Sequence, residues 1–103
     1  MTRAQLDELV EEALVDAYGD SEQVTSFYTM MENDLQLPFE TEILGVAVSV
    51  KSIDITDDDR LVAICRNGKT RQRISLMELP LPSPPPDGAQ WIVAYRYWLT
   101  GSV

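Results

Sequence analysis

The chain has 103 residues, 45% of them hydrophobic, enough for one core and too few for two, so a single domain over 1–103 is expected and a disordered acidic tail is not. It has no histidine and one cysteine, Cys65, which removes the usual zinc, copper and haem ligand sets, an internal disulfide and every histidine-based catalytic relay. A formal net charge of −9 repels phosphate backbones and anionic membranes, and no apolar run approaches about 18 residues, so a cytoplasmic, non-catalytic protein that binds neither nucleic acid nor membrane is expected.

Leu6, Leu9, Val10, Ala13, Leu14 and Ala17 recur at steps of three and four opposite an acidic face, which predicts an amphipathic helix from Thr2 to Tyr18. Thr2 and Gln5 have capping-box spacing, and Gly19 stands where a left-handed residue would end that helix. Asp20 and Gln23 repeat the spacing and open a second helix through Val24, Phe27, Tyr28, Met31 and Leu35, stopped by Pro38. The first third is thus a helical hairpin.

From Phe39 the period falls to two. Val46, Val48 and Val50 alternate with polar or small residues, then Ile53 and Ile55 continue one residue out of phase, a slip that a bulge near Lys51 and Ser52 explains. Asp57, Asp58, Asp59 and Arg60 form a turn, Leu61 to Cys65 a short apolar strand, and Asn67-Gly68 a hairpin signal with Lys69 to Leu76 as the returning strand. These short strands predict a curved antiparallel sheet or SH3-like partial barrel of about four or five strands. Residues 79–86 hold five of the six prolines and predict an extended connector. Asp87 and Gln90 give a third capping spacing before Trp91, Ile92, Tyr95, Trp98 and Leu99, the face of a C-terminal helix ended by Gly101. The fold class is α+β.

The charge is uneven: residues 1–59 carry −13 and residues 60–103 carry +4, so a cation site would draw on the first part. Three consecutive carboxylates at Asp57–Asp59 repel one another unless solvent or a cation screens them, and the run reads either as a solvated turn or as part of a cation site. It is not an EF-hand. A loop starting at Asp54 places Asp59 where glycine is required and Cys65 where the bidentate glutamate belongs, and one starting at Asp57 places Leu61 at a ligand position. Glu32, Asp34, Glu40 and Glu42 bracket the junction at Pro38, where acids have the wrong sign for a helix C-terminus and read as solvated groups or as an ion's partners. Lys69, Arg71 and Arg73 alternate along one strand, suiting either an acidic partner or an edge that discourages aggregation.

The run Glu32-Asn33-Asp34-Leu35-Gln36-Leu37-Pro38-Phe39-Glu40, the strand pair around Asp57–Asp59 and Asn67-Gly68, and the ending Trp91-Ile92-Val93-Ala94-Tyr95-Arg96-Tyr97-Trp98-Leu99 together resemble the small bacterial, cyanobacterial-type calcium-binding protein family, over residues 28–99. The resemblance implies a domain that binds calcium through acidic side chains without an EF-hand, as an intracellular buffer or sensor. The matching acids are Asp34 and Glu40 at the junction and Asp57, Asp58 and Asp59 in the turn, and these are the ligands it implies. A flexible acidic loop suits calcium, with 6–8 oxygen ligands at about 2.3–2.6 Å, better than magnesium, which demands strict octahedral geometry. The alternative is a non-catalytic protein-interaction module using the C-terminal aromatic helix or the basic strand, with its partner unidentified.

Overall fold

The computed structural model describes residues 1–101. In chain order they form α1 (Arg3–Leu14), α2 (Asp20–Asp34), β1 (Phe39–Ile43), β2 (Val46–Ile55), β3 (Leu61–Asn67), β4 (Thr70–Ser75) and α3 (Gln90–Thr100). This is the expected α+β arrangement of a helical hairpin, an antiparallel sheet and a closing helix. No helix among the described residues is long and apolar enough to cross a membrane.

The capping box of α1 is complete: Gln5 N–H donates to Thr2 Oγ1 at 3.1 Å and Thr2 N–H to Gln5 Oε1 at 2.8 Å. The helix ends at Leu14, short of Tyr18, and Gly19 does not cap it. Gly19, at φ +88°, is instead the N-cap of α2, with Asp20 the first helical residue rather than a cap. The left-handed glycine serves the reversal between the helices, and the start of α2 is pinned by Glu22, whose carboxylate accepts the Tyr18 N–H at 2.7 Å.

The strands form a meander in the order β1-β2-β3-β4, every pair antiparallel. The register of β2 against β3 shifts between Val50 and Ser52, so Val48, Val50 and Ile53 all join the core. Asn67 pairs with Thr70, which makes Gly68 and Lys69 the turn residues, one position later than Asn67-Gly68. Gly68, at φ +60°, takes the first central place, where a hairpin turn with a single left-handed residue needs glycine. The β1–β2 turn is built on Leu44 and Gly45, both at positive φ (51° and 78°), and Leu44 is 99% exposed. A left-handed leucine costs about 1–2 kcal/mol. Leu44→Asn, a residue at ease there, should stabilise the fold by about 1 kcal/mol, seen as a rise of about 4–8 °C in melting temperature.

Helices and one sheet face enclose a shared core in which Phe27, Val50 and Ile92 are fully buried. Phe27 meets Tyr95 edge-on at 5.8 Å and Trp98 at 5.2 Å between ring centroids. The buried Tyr95 hydroxyl accepts the Leu61 N–H at 3.2 Å, tying α3 to the first residue of β3. Trp91 and Tyr95 are therefore core, while Trp98 is half-buried.

Residues 79–86 run without regular structure beside β1, where Thr41 Oγ1 donates to Pro80 O at 2.6 Å. Arg96 fixes the preceding turn, its Nε donating to Leu76 O at 2.6 Å and its Nη2 to Leu79 O. Asp87 does not cap α3, whose N-cap, Ala89, makes no side-chain cap bond. The Asp87 carbonyl instead accepts the Gln36 N–H at 2.8 Å, holding this corner to the end of α2. Gly101, left-handed at φ +72°, ends α3 as its sequence position predicts.

Candidate metal centre

The turn between β2 and β3 carries Asp57, Asp58 and Asp59. Thr56 organises it: its N–H donates to Arg60 O at 2.8 Å, its carbonyl accepts the Asp59 N–H at 3.1 Å, and its hydroxyl accepts the Arg60 N–H at 3.0 Å while donating to Asp58 Oδ1. Asp59 adopts φ +59°, a conformation aspartate tolerates better than most residues. Asp57 and Asp58 project into solvent and Asp59 is half-buried. The Thr56 hydroxyl, then the backbone N–H of Asp58 itself, hold the Asp58 carboxyl below the usual carboxylate range. Because its folded value is the lower one, Asp58 favours the fold above the ordinary value of about 3.9. That contribution disappears as pH falls through the depressed value.

Across the turn stands the start of α2. Ser21 Oγ donates to Asp59 Oδ1 at 3.4 Å, and Asp20, Gln23, Asp58, Asp59, Arg60 and Trp98 line a common open cleft of about 520 Å³. The α2 N-terminus already offers partial positive charge to these carboxylates. Among the described residues no three carboxylates are gathered closely enough to hold an ion with the side chains as they lie.

The other two expected ligands lie elsewhere. Asp34 is about 20 Å along α2 from Ser21 at 1.5 Å per residue. Its Oδ2 accepts the Trp91 Nε1–H at 2.7 Å, which gives this helix-end acid a structural partner. Glu40 pairs with Ser49, and the strand from Ser49 to Ile55 separates it from the turn by about 20 Å. With Glu42 it lines a cleft against Pro80 to Ser83. The sequence reading missed Asp20 and Ser21 as neighbours of the turn, since a helix-opening acid carries no linear signal of what faces it.

A small acidic α+β domain with an oxygen-rich turn at one end of its sheet is the class these features define. More particularly, the chain belongs to the calcium-binding family of CcbP type, whose pattern matches residues 7–99, and calcium is the ion of that family. No curated protein and no solved structure matches the chain. The donors at the turn fit calcium in kind: carboxylate, hydroxyl and carbonyl oxygens, with the one thiol, Cys65, buried within β3.

Proposed function

We propose that this protein is an intracellular, non-catalytic calcium buffer that takes the ion at the β2–β3 turn. In this reading Asp58 and Asp59 are the anchoring carboxylates, Asp57 flanks them and Asp20 closes from the start of α2. The observation that carries it is the convergence of two acidic segments, distant in sequence, on one open cleft within the part of the chain that carries −13. Calcium supplies positive charge there when bound, and the residues' own part is to rotate exposed carboxylates toward it, with Thr56 fixing the turn that presents them. A turn that joins two strands supports reading the site as of a non-EF-hand kind. Buffering is favoured over sensing because gathering side chains at a surface turn moves no packed element, whereas a sensor needs a bistable one.

The test is calorimetric titration with calcium and then magnesium, on the wild type and on the triple variant Asp57→Asn, Asp58→Asn, Asp59→Asn. At about 100 times the dissociation constant, calcium should stabilise the wild type by about 2.7 kcal/mol. The variant should keep or gain apo stability, as mutual repulsion is relieved, and lose the calcium response. Wild-type affinity should also fade on acidification toward about pH 4, where carboxylates protonate. A variant with the full calcium response would exclude this turn and redirect the assignment to Glu32, Asp34, Glu40 and Glu42.

A further inference from the structure

The two edges of the sheet are finished differently. β1 is flanked by the proline-rich connector, whereas β4 pairs only with β3 and its residues Thr70 to Arg73 are exposed. In a hairpin closed by a two-residue turn, the pair next to the turn exchanges both hydrogen bonds and the pairs alternate from there. Asn67–Thr70, Cys65–Gln72 and Ala63–Ile74 are thus the bonded pairs, and Arg66–Arg71 and Ile64–Arg73 are not. The backbone N–H and C=O groups of Arg71 and Arg73 therefore point away from β3, and no hydrogen bond from another described residue reaches them. They form a short open template for a further strand.

That edge carries unpaired positive charge on one face. The register sets Arg66, Arg71 and Arg73 on the outer sheet face, opposite to the face of Cys65 and Ile74, which pack in the core. Arg73 donates to Asp54 at 3.1 Å, the one ion pair among the described residues. Arg66 and Arg71 have no acid, and they face each other directly across the strands, where Cα atoms are about 4.5 Å apart and like charges are destabilising. Arg66 does not bond Ser49 beside it on β2 either, and the shielded Ser49 hydroxyl is itself without a partner. Discouraging edge-to-edge pairing accounts for a charge on β4 but not for Arg66, which stands on an interior strand. The nearest acids in the same cross-strand rows, Glu40 and Glu42, are on β1, three strand spacings or about 14 Å from β4.

We propose that β4 is a docking edge for an extended acidic segment of another protein, which adds to the sheet as a further strand. Its backbone bonds to Arg71 and Arg73, and carboxylates at alternate positions stand on the outer face beside them, with Arg66 one strand further in. The segment is acidic because Arg66 and Arg71 then gain the counter-charge they lack. It is not a second copy of this chain: another β4 would set Arg71 and Arg73 against themselves, and another β1 is flanked by its own connector. The net charge of −9 does not prevent the contact, since at about 0.15 M salt charges are screened beyond roughly 8 Å while those in contact still attract.

The probe is a synthetic peptide of about eight residues, a common strand length, alternating glutamate with threonine and capped at both ends. Titrated into the isotopically labelled protein in calcium-free buffer, it tests the edge independently of the calcium site. The Arg71 and Arg73 amide signals should shift and their hydrogen exchange should slow, with a dissociation constant between about 10 μM and 1 mM, a range suited to a weak interface. The same peptide with glutamine for glutamate should bind about tenfold more weakly or worse. Arg71→Glu should abolish binding and yet raise the melting temperature, because it turns a like-charge pair into an opposite-charge one, so the loss cannot be put down to unfolding. No amide shift at about 1 mM peptide, an Arg71→Glu variant that binds as the wild type does, or equal binding of the glutamine peptide would each overturn the proposal. So would inorganic phosphate that reproduces the same shifts at the same concentration, which would mark an adventitious ion only.

Discussion

Replacing Gly88 with alanine should remove about 3–5 kcal/mol of stability, in the upper tail of single-substitution effects. At φ +85° a side chain is already strained, and a Cβ there would stand 2.3 Å from the Asp34 carbonyl oxygen and 2.5 Å from Leu35 Cα, both backbone atoms. Neither can retreat easily, since the end of α2 is tied to this corner by the Gln36 to Asp87 bond and by the Asp34 carboxylate on Trp91. Gly19→Ala is the control: φ is +88° but nothing lies within 4 Å, so only the conformational penalty of about 1–2 kcal/mol should appear. Denaturant midpoints for the two variants separate the effects, and equal losses would mean that the α2–α3 corner is not held as tightly as its hydrogen bonds indicate.

Phe27→Ala should cost a comparable 3–5 kcal/mol, as expected for a fully buried aromatic truncated in place. Its ring is the point where α2 meets both Tyr95 and Trp98 of α3, so the loss combines area burial with two aromatic contacts. Melting temperature should fall by about 4–8 °C per kcal/mol. Trp98→Ala, at a half-buried position, should fall below Phe27→Ala, and a reversed order would move the centre of the core toward the surface of α3.

The fold was legible wherever a local rule and tertiary packing agree. The Thr2 and Gln5 capping box, the bulge between Val50 and Ser52, and the aromatic stripe of α3 with its Gly101 terminus all lie where periodicity and capping chemistry place them. Glycines and acids with two possible uses were harder to read. Gly19 can end one helix or open the next, and the sequence does not show that the chain reverses there; Asp87 has cap spacing but contributes its carbonyl to Gln36. Leu44-Gly45 escaped notice as a turn because leucine is a poor left-handed residue. The acidic turn was legible as a run of like charges, but its opposition to Asp20 and Ser21 depends on how α2 lies across the sheet, a long-range contact with no local signature.

The proline-rich connector beside β1 bears on how the chain is made. β1 ends at Ile43 and the connector begins at Leu79, so at a synthesis rate of about 5–20 residues per second β1 leaves the ribosome roughly 2–7 s before the segment that flanks it. During that interval the outer backbone of β1 is an open template for pairing with another nascent strand. The connector's turn is then anchored by Arg96, near the C-terminal end of α3, so β1 gains its fixed flanking segment only after α3 has also been made. Chains stalled within the connector should therefore be the species that demand chaperone attention, and ribosome-bound fragments ending before and after Arg96 should differ sharply in aggregation.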